Sequence, residues 1–225
     1  MTDTMPAGLA ANLIIFCENR RRVYALLSRC FETEIDAAFA DKLARETALE
    51  SDDPALVEGF AALKADLADA DEGALEQLAV AFNRVFFGMG PRTAQKAFPY
   101  ESVYTSEDGL MMQEAYVQVK RVYAAAGFAK DPSFTEPEDH LAVQLAFMSR
   151  LCETAVEALQ ANDAEAAEAA LRGQLTFLQD HLLNWIDRFV IDSKAAAGGG
   201  FYANLATFTQ AYLQADAEAT AEVVE

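Results

Sequence analysis

The residues able to do chemistry in this sequence gather in two short stretches. In FPYESVY, Phe98 to Tyr104, aromatic rings and a proline flank the carboxylate of Glu101. In TEPEDH, Thr135 to His140, three carboxylates precede one of the two histidines in the chain, the other being His181. An Asp-His pair is half of an acid/base device. Adjacent helical residues point about 100° apart, however, so Asp139 and His140 are poorly placed to bond each other side to side. Capping, ligand contact and catalysis stay open for that pair, and Asp180-His181 reads as structural. Two histidines without a CxxC spacing do not make a metal site, so neither a metal nor another cofactor is expected. The phosphate loop, the GxSxG elbow and the HExxH zinc motif are all missing from the sequence.

The first stretch has a geometry of its own. Pro99 fixes its own φ and pushes Phe98 toward extended backbone. Phe98, Tyr100 and Glu101 are thereby held in a set relation at low entropic cost. Rigid aromatics beside a carboxylate suit a peptide that is part apolar and part cationic. The competing reading is that the aromatics only plug the loop onto the rest of the protein.

Composition narrows the partners. Among 225 residues, Lys+Arg total 17 and Asp+Glu total 36, giving 17 − 36 = −19. Such a surface repels a phosphate backbone, so nucleic acid is set aside. The apolar fraction is 52%, enough for a sizeable core. Cys17, Cys30 and Cys152 are odd in number and sit on apolar helical patterns. They read as small buried hydrophobes of a reducing compartment. The run NRRRVYALLSR, Asn19 to Arg29, imitates a twin-arginine export signal, but Arg29, Glu32 and Glu34 interrupt the apolar stretch that should follow. No segment approaches the ~18 apolar residues of a membrane span, and the expected location is the cytoplasm.

Helical periodicity must position these residues. Helices are expected over about 9–31, 34–49 and 54–69, the third opened by Asp53 as N-cap and Pro54. A fourth, about 74–87, carries Phe82, Val85 and Phe86 and stops at Gly88, with Gly90 and Pro91 beyond. A long 88–106 loop follows, then a fifth helix over about 107–126. Thr135 and Glu138 fit a capping box opening a helix to about 161, and Asn162 is expected to cap the next, with a break near Asp180. A last helix spans about 201–215. The expectation is an all-α, bundle-like single domain of about seven to nine helices. Its parts are 1–127 with the 88–106 loop, 128–217, and a frayed acidic tail at 218–225.

Four stretches in order resemble one known family. FNRVFFGMGP, FPYESVY, EPEDHLAVQLAFMSRLC and FLQDHLLNWIDRF…FYANLATF are similar to the TorD/DmsD family of chaperones for exported molybdoenzymes, over about residues 20–215. The resemblance implies an all-helical cytoplasmic protein without catalysis. It implies binding of a client's twin-arginine leader, and of its folded body, until the molybdenum cofactor is inserted. The positions matching the family's peptide-binding motifs are Phe82, Val85, Phe86, Pro99, Tyr100, Glu101, Ser102, Asp139 and His140. Phe82 and Tyr100 stand where the family often has tryptophan, and some members lack a carboxylate at the position of Glu101. A leader has two arginines and then an apolar run, so its receptor needs carboxylates beside apolar surface. The competing functions are a helical adaptor for another partner and a nucleotide hydrolase using His140, the latter disfavoured by the missing phosphate loop. The assembly expected is a monomer or a domain-swapped dimer, with the 127–136 connection as hinge.

Overall fold

Apolar residues spaced three and four apart become helix along nearly the whole chain. The computed structural model describes residues 6–90 and 95–224. Its α-helices, in order, are α1 (Ala7–Glu32), α2 (Ala37–Asp41), α3 (Pro54–Leu67), α4 (Glu72–Phe86), α5 (Glu101–Thr105), α6 (Glu114–Ala125), α7 (Leu141–Gln160), α8 (Ala164–Phe177), α9 (Ile186–Ala197) and α10 (Phe201–Val224). No strand occurs among the described residues, so the protein is all-α. Local signals decided several boundaries. Asp53 accepts from the Ala55 amide at 2.8 Å and Pro54 opens α3. Gly88 ends the α4 region at φ 65°, and a Cβ there would sit 2.9 Å from Lys96 and 3.0 Å from Phe98. Pro91, the expected second stop signal, lies outside the described residues with the rest of 91–94.

Other boundaries differ from expectation. The second helix is shorter: α2 passes into a π-helical turn, Lys42–Glu46. The break near Asp180 is likewise a π-helical turn, Leu178–Leu182, continuing α8. Asp163, not Asn162, caps α8 by accepting from the Ala166 amide at 3.0 Å, while Asn162 takes a left-handed φ of 58°. The fifth helix begins only at Glu114, because Ser106 to Gln113 fold into a turn.

The last helix runs well past its expected end near 215. Helix α10 runs unbroken to Val224, and Glu225 lies outside the described residues. Its anchor is buried. Arg20 on α1 donates to both Asp216 carboxylate oxygens, at 2.5 and 2.9 Å, and to Gln174 at 2.5 Å. The Tyr24 hydroxyl donates to the same carboxylate at 2.5 Å. Thr220 and Val224 are buried beyond it.

Helix α1 packs along α7, α7 on α8, and α10 against α3 and α9. One apolar cluster runs from Tyr24 to Ala217, joining both expected parts of the chain. Its aromatic centre stacks Phe86 on Phe189 at 6.1 Å and Tyr104 on Trp185 at 5.4 Å. Such pairs add about 0.5–1.5 kcal/mol each beyond area burial. The three cysteines are free and buried.

Candidate functional site

The two chemistry-bearing stretches meet. Residues 99–101 run antiparallel to 139–141, with Tyr100 bridged to His140. The Glu101 amide donates to the Asp139 carbonyl at 3.0 Å, and the Leu141 amide donates to the Pro99 carbonyl at 2.8 Å. The stretches are thus paired through backbone and need no helical start at Thr135. The expected capping box is not formed: Pro137 to His140 make a turn, and α7 begins at Leu141. His140 is its N-cap, with Nδ1 accepting from the Ala142 amide at 3.1 Å.

Asp139 therefore does not sit in the first turn of α7. Its Oδ2 accepts from the Ser102 amide at 3.0 Å and so caps α5, whose own N-cap residue, Tyr100, makes no side-chain cap. Ser102 passes the connection on: its hydroxyl accepts from the Gln113 amide at 3.0 Å, fixing the entry to α6. Tyr100 packs edge-on against His140 at 5.0 Å and donates to the Glu136 carboxylate.

Glu101 faces inward and is 1% exposed. It accepts from Gln144 Nε2 at 2.6 Å and from Asn184 Nδ2 at 3.0 Å, while His181 Nδ1 lies 3.2 Å from both its oxygens. His181 thus has a structural role, as expected. Gln144 and Asn184 were not singled out in the sequence. Their one signal there is a polar residue standing within an apolar helical pattern.

Burial sets the electrostatics. Loss of water pushes the His140 imidazole down to about 3, helped by the charge of Lys130. Burial raises the Asp139 carboxyl, against the opposing pull of its Ser102 hydrogen bonds. It also raises the Tyr100 hydroxyl, with Glu136 adding to the shift. Three buried polar atoms at this crossing, Asp139 Oδ1, His140 Nε2 and Gln144 Oε1, have no partner among the described residues. The buried histidine and the carboxylate turned away from solvent are held in a clasp between the two stretches.

Of the nine expected residues, Pro99, Tyr100, Glu101, Ser102, Asp139 and His140 come together in this clasp, and all six are buried. Phe82, Val85 and Phe86 are buried elsewhere in the aromatic core, Phe86 edge-on to Phe31 at 5.5 Å and to Tyr202 at 5.4 Å. None of the nine presents its side chain to solvent.

The chain matches the family described as nitrate reductase delta subunit over residues 49–190. It is 30% identical over 225 residues to the TorD chaperone of Vibrio cholerae serotype O1, covering 95% of this chain and 97% of that one. The chain belongs to the TorD family. A TorD chaperone of Photobacterium profundum is 38% identical over 121 residues, covering 54% of this chain and 55% of that one. At the level of fold, this TorD-family chain is also similar to a redox enzyme maturation protein from Archaeoglobus fulgidus, with a TM-score of 0.54, 21% identity and coverage of 86% and 93%. TorD relatives are named as chaperones.

Surface features outside the clasp complete the geometry. A groove of about 750 Å³ runs between α1 and the π-helical turn after α2. Its lining includes Leu26, Phe39 and Leu43, with Arg22, Arg29 and Lys42 among its cations. No helix among the described residues is long and apolar enough to cross a membrane.

Proposed function

We propose that this chain is a cytoplasmic maturation chaperone that binds the twin-arginine leader of a molybdenum-containing oxidoreductase and holds the enzyme until its cofactor is in place. The observation that carries this reading is the family membership, with the match to the Vibrio cholerae chaperone spanning nearly both whole chains. The net charge of −19 supports it, since an acidic surface draws in a basic leader and speeds encounter. Burial shifts the part played by the nine motif residues from contact to positioning. The clasp fixes α5 and the turn after it, and the Phe82–Phe86 face holds α4 on the core beneath.

Affinity then rests on apolar contact, with charge setting selectivity. An exposed ion pair contributes well under ~1 kcal/mol, whereas a buried apolar side chain contributes about 1.5–3 kcal/mol. The test is co-purification of the tagged chain from its native host, with mass spectrometry of the captured proteins. The expected catch is an oxidoreductase precursor that still carries its leader. Capture of the mature, leaderless enzyme at equal yield, or of no oxidoreductase, would overturn the reading.

A further inference from the structure

The turn between α5 and α6 displays an apolar triplet to solvent. Leu110 is 54% exposed, Met111 40% and Met112 54%. Three consecutive large apolar residues on an exposed turn are not explained by packing, and surfaces of this kind mark interaction sites. Methionine is unbranched and polarizable, which suits surfaces that accept varied apolar sequences.

The turn is held in shape from inside. The Leu110 amide donates to Ser106 Oγ at 3.2 Å, and the Gln113 amide donates to Ser102 Oγ at 3.0 Å. Gln113 also donates from its side chain to the Met111 carbonyl at 2.9 Å. Met112 has a φ of 57°, a left-handed conformation that disfavours a side chain of its size. The clasp thus ends in a preset turn. The Asp139 carboxylate holds the Ser102 amide, and the Ser102 hydroxyl holds Gln113, where the triplet ends.

Charge identifies the occupant. Glu107 and Asp108 precede the triplet and Glu114 follows it, all exposed, and no cation occurs between Ser106 and Glu114. An acidic–apolar–acidic display complements a segment with basic residues next to an apolar run. The groove beside α1 sets Arg21, Arg22, Arg29 and Lys42 against only Glu46 and Glu50 and suits such a segment less well.

We infer that Leu110, Met111 and Met112 form the docking surface for the apolar run of a basic leader, with Glu107, Asp108 and Glu114 facing its arginines. This rests on the leader-binding reading above and adds the place where the leader sits. Pre-organisation of the turn means little ordering is left to be done on binding.

The test is oxidative footprinting of the full chain with and without a synthetic twin-arginine leader, each methionine quantified by mass spectrometry. Met111 and Met112 should oxidise in the free protein and be protected several-fold by saturating leader. Met89, just beyond α4, is 65% exposed and serves as an unprotected reference, and buried Met148 as the unreactive one. In parallel, the Leu110→Ser, Met111→Ser, Met112→Ser triple variant alters only exposed side chains and should weaken leader binding about tenfold or more. Leader binding with Met111 and Met112 oxidised at the free rate would overturn this docking surface while sparing the leader reading. Absence of leader binding by the wild type would overturn both.

Discussion

Asp139 Oδ2 accepts a hydrogen bond from the Ser102 amide at 3.0 Å, so a side chain at the entrance of one helix caps another helix 37 residues earlier in the sequence. Neither α5 nor the start of α7 is ordered by its own residues alone. Asp139→Ala removes the cap and leaves a buried donor unpaired, with an expected cost of about 1–3 kcal/mol. Asp139→Asn keeps an acceptor and should cost less. Urea unfolding of both variants measures the difference. Equal stability in wild type and Asp139→Ala would show that the cap contributes nothing.

Glu101 separates a packing role from a contact role. Its carboxylate accepts from Gln144 and Asn184 and faces His181 inside the protein. Glu101→Ala should therefore destabilise the fold by about 3 kcal/mol or more, since it leaves those donors without a partner. Glu101→Gln presents an amide to donors and should cost about 1–3 kcal/mol. In either variant, leader affinity per folded molecule should change little, which calorimetry beside urea unfolding would reveal. A large loss of affinity in Glu101→Gln at unchanged stability would place this carboxylate against the leader.

His140 gives the fold a dependence on acid. Its folded pKa, about 3, lies below its ordinary value of 6.5. The stability it contributes is fully present above about pH 6.5 and is lost progressively as pH falls toward 3. Asp139 acts in the opposite sense. Its folded pKa is raised, so its contribution is present at low pH and lost as pH rises through that value. The expected result is that stability falls below pH 6.5 with His140 supplying up to about 1.4 kcal/mol per pH unit. His140→Asn keeps a good N-cap and removes the titration, so its curve from pH 6 to 4 should be flatter. Unfolding free energies at stepped pH measure this, and parallel curves would contradict the burial of a neutral imidazole.

The end of the chain should matter to stability. Asp216 on α10 pairs with Arg20 on α1 and accepts from Tyr24. Asp216→Ala leaves the buried guanidinium uncompensated, with an expected cost of about 3–5 kcal/mol. Truncation after Ala215 removes the same carboxylate along with the buried Thr220 and Val224, and should lower the thermal midpoint at least as far. A truncated chain melting with the full-length one would show the tail to be dispensable.

The parts of the fold legible in the sequence are those decided locally. Asp53-Pro54 at the start of α3 and Gly88 after α4 act within one helical turn of their own positions. What escaped detection depends on distant partners. Thr135 to Glu138 look like a capping box, yet residues 139–141 pair with 99–101, and no short-range pattern announces that pairing. Asp216 reads as the start of a solvated tail until Arg20, 196 residues away, is placed beside it. The same holds for the site. The motif residues were identified by type and spacing, but Glu101 could be assigned to the surface or the interior only once Gln144, His181 and Asn184 were seen around it. The exposed triplet was missed because Leu110 to Met112 lie within a stretch that reads as helix, and Ser102 Oγ holds that stretch as a turn.

Leader binding through the apolar run is tested by calorimetric titration of the full chain with the leader peptide of a molybdoenzyme from the same organism. A second leader carries serines throughout its apolar run and keeps both arginines. The intact leader should bind saturably, with a negative heat-capacity change, and the serine-substituted one at least about tenfold more weakly. A folded protein that binds neither leader, or that binds both equally, would contradict binding through the apolar run.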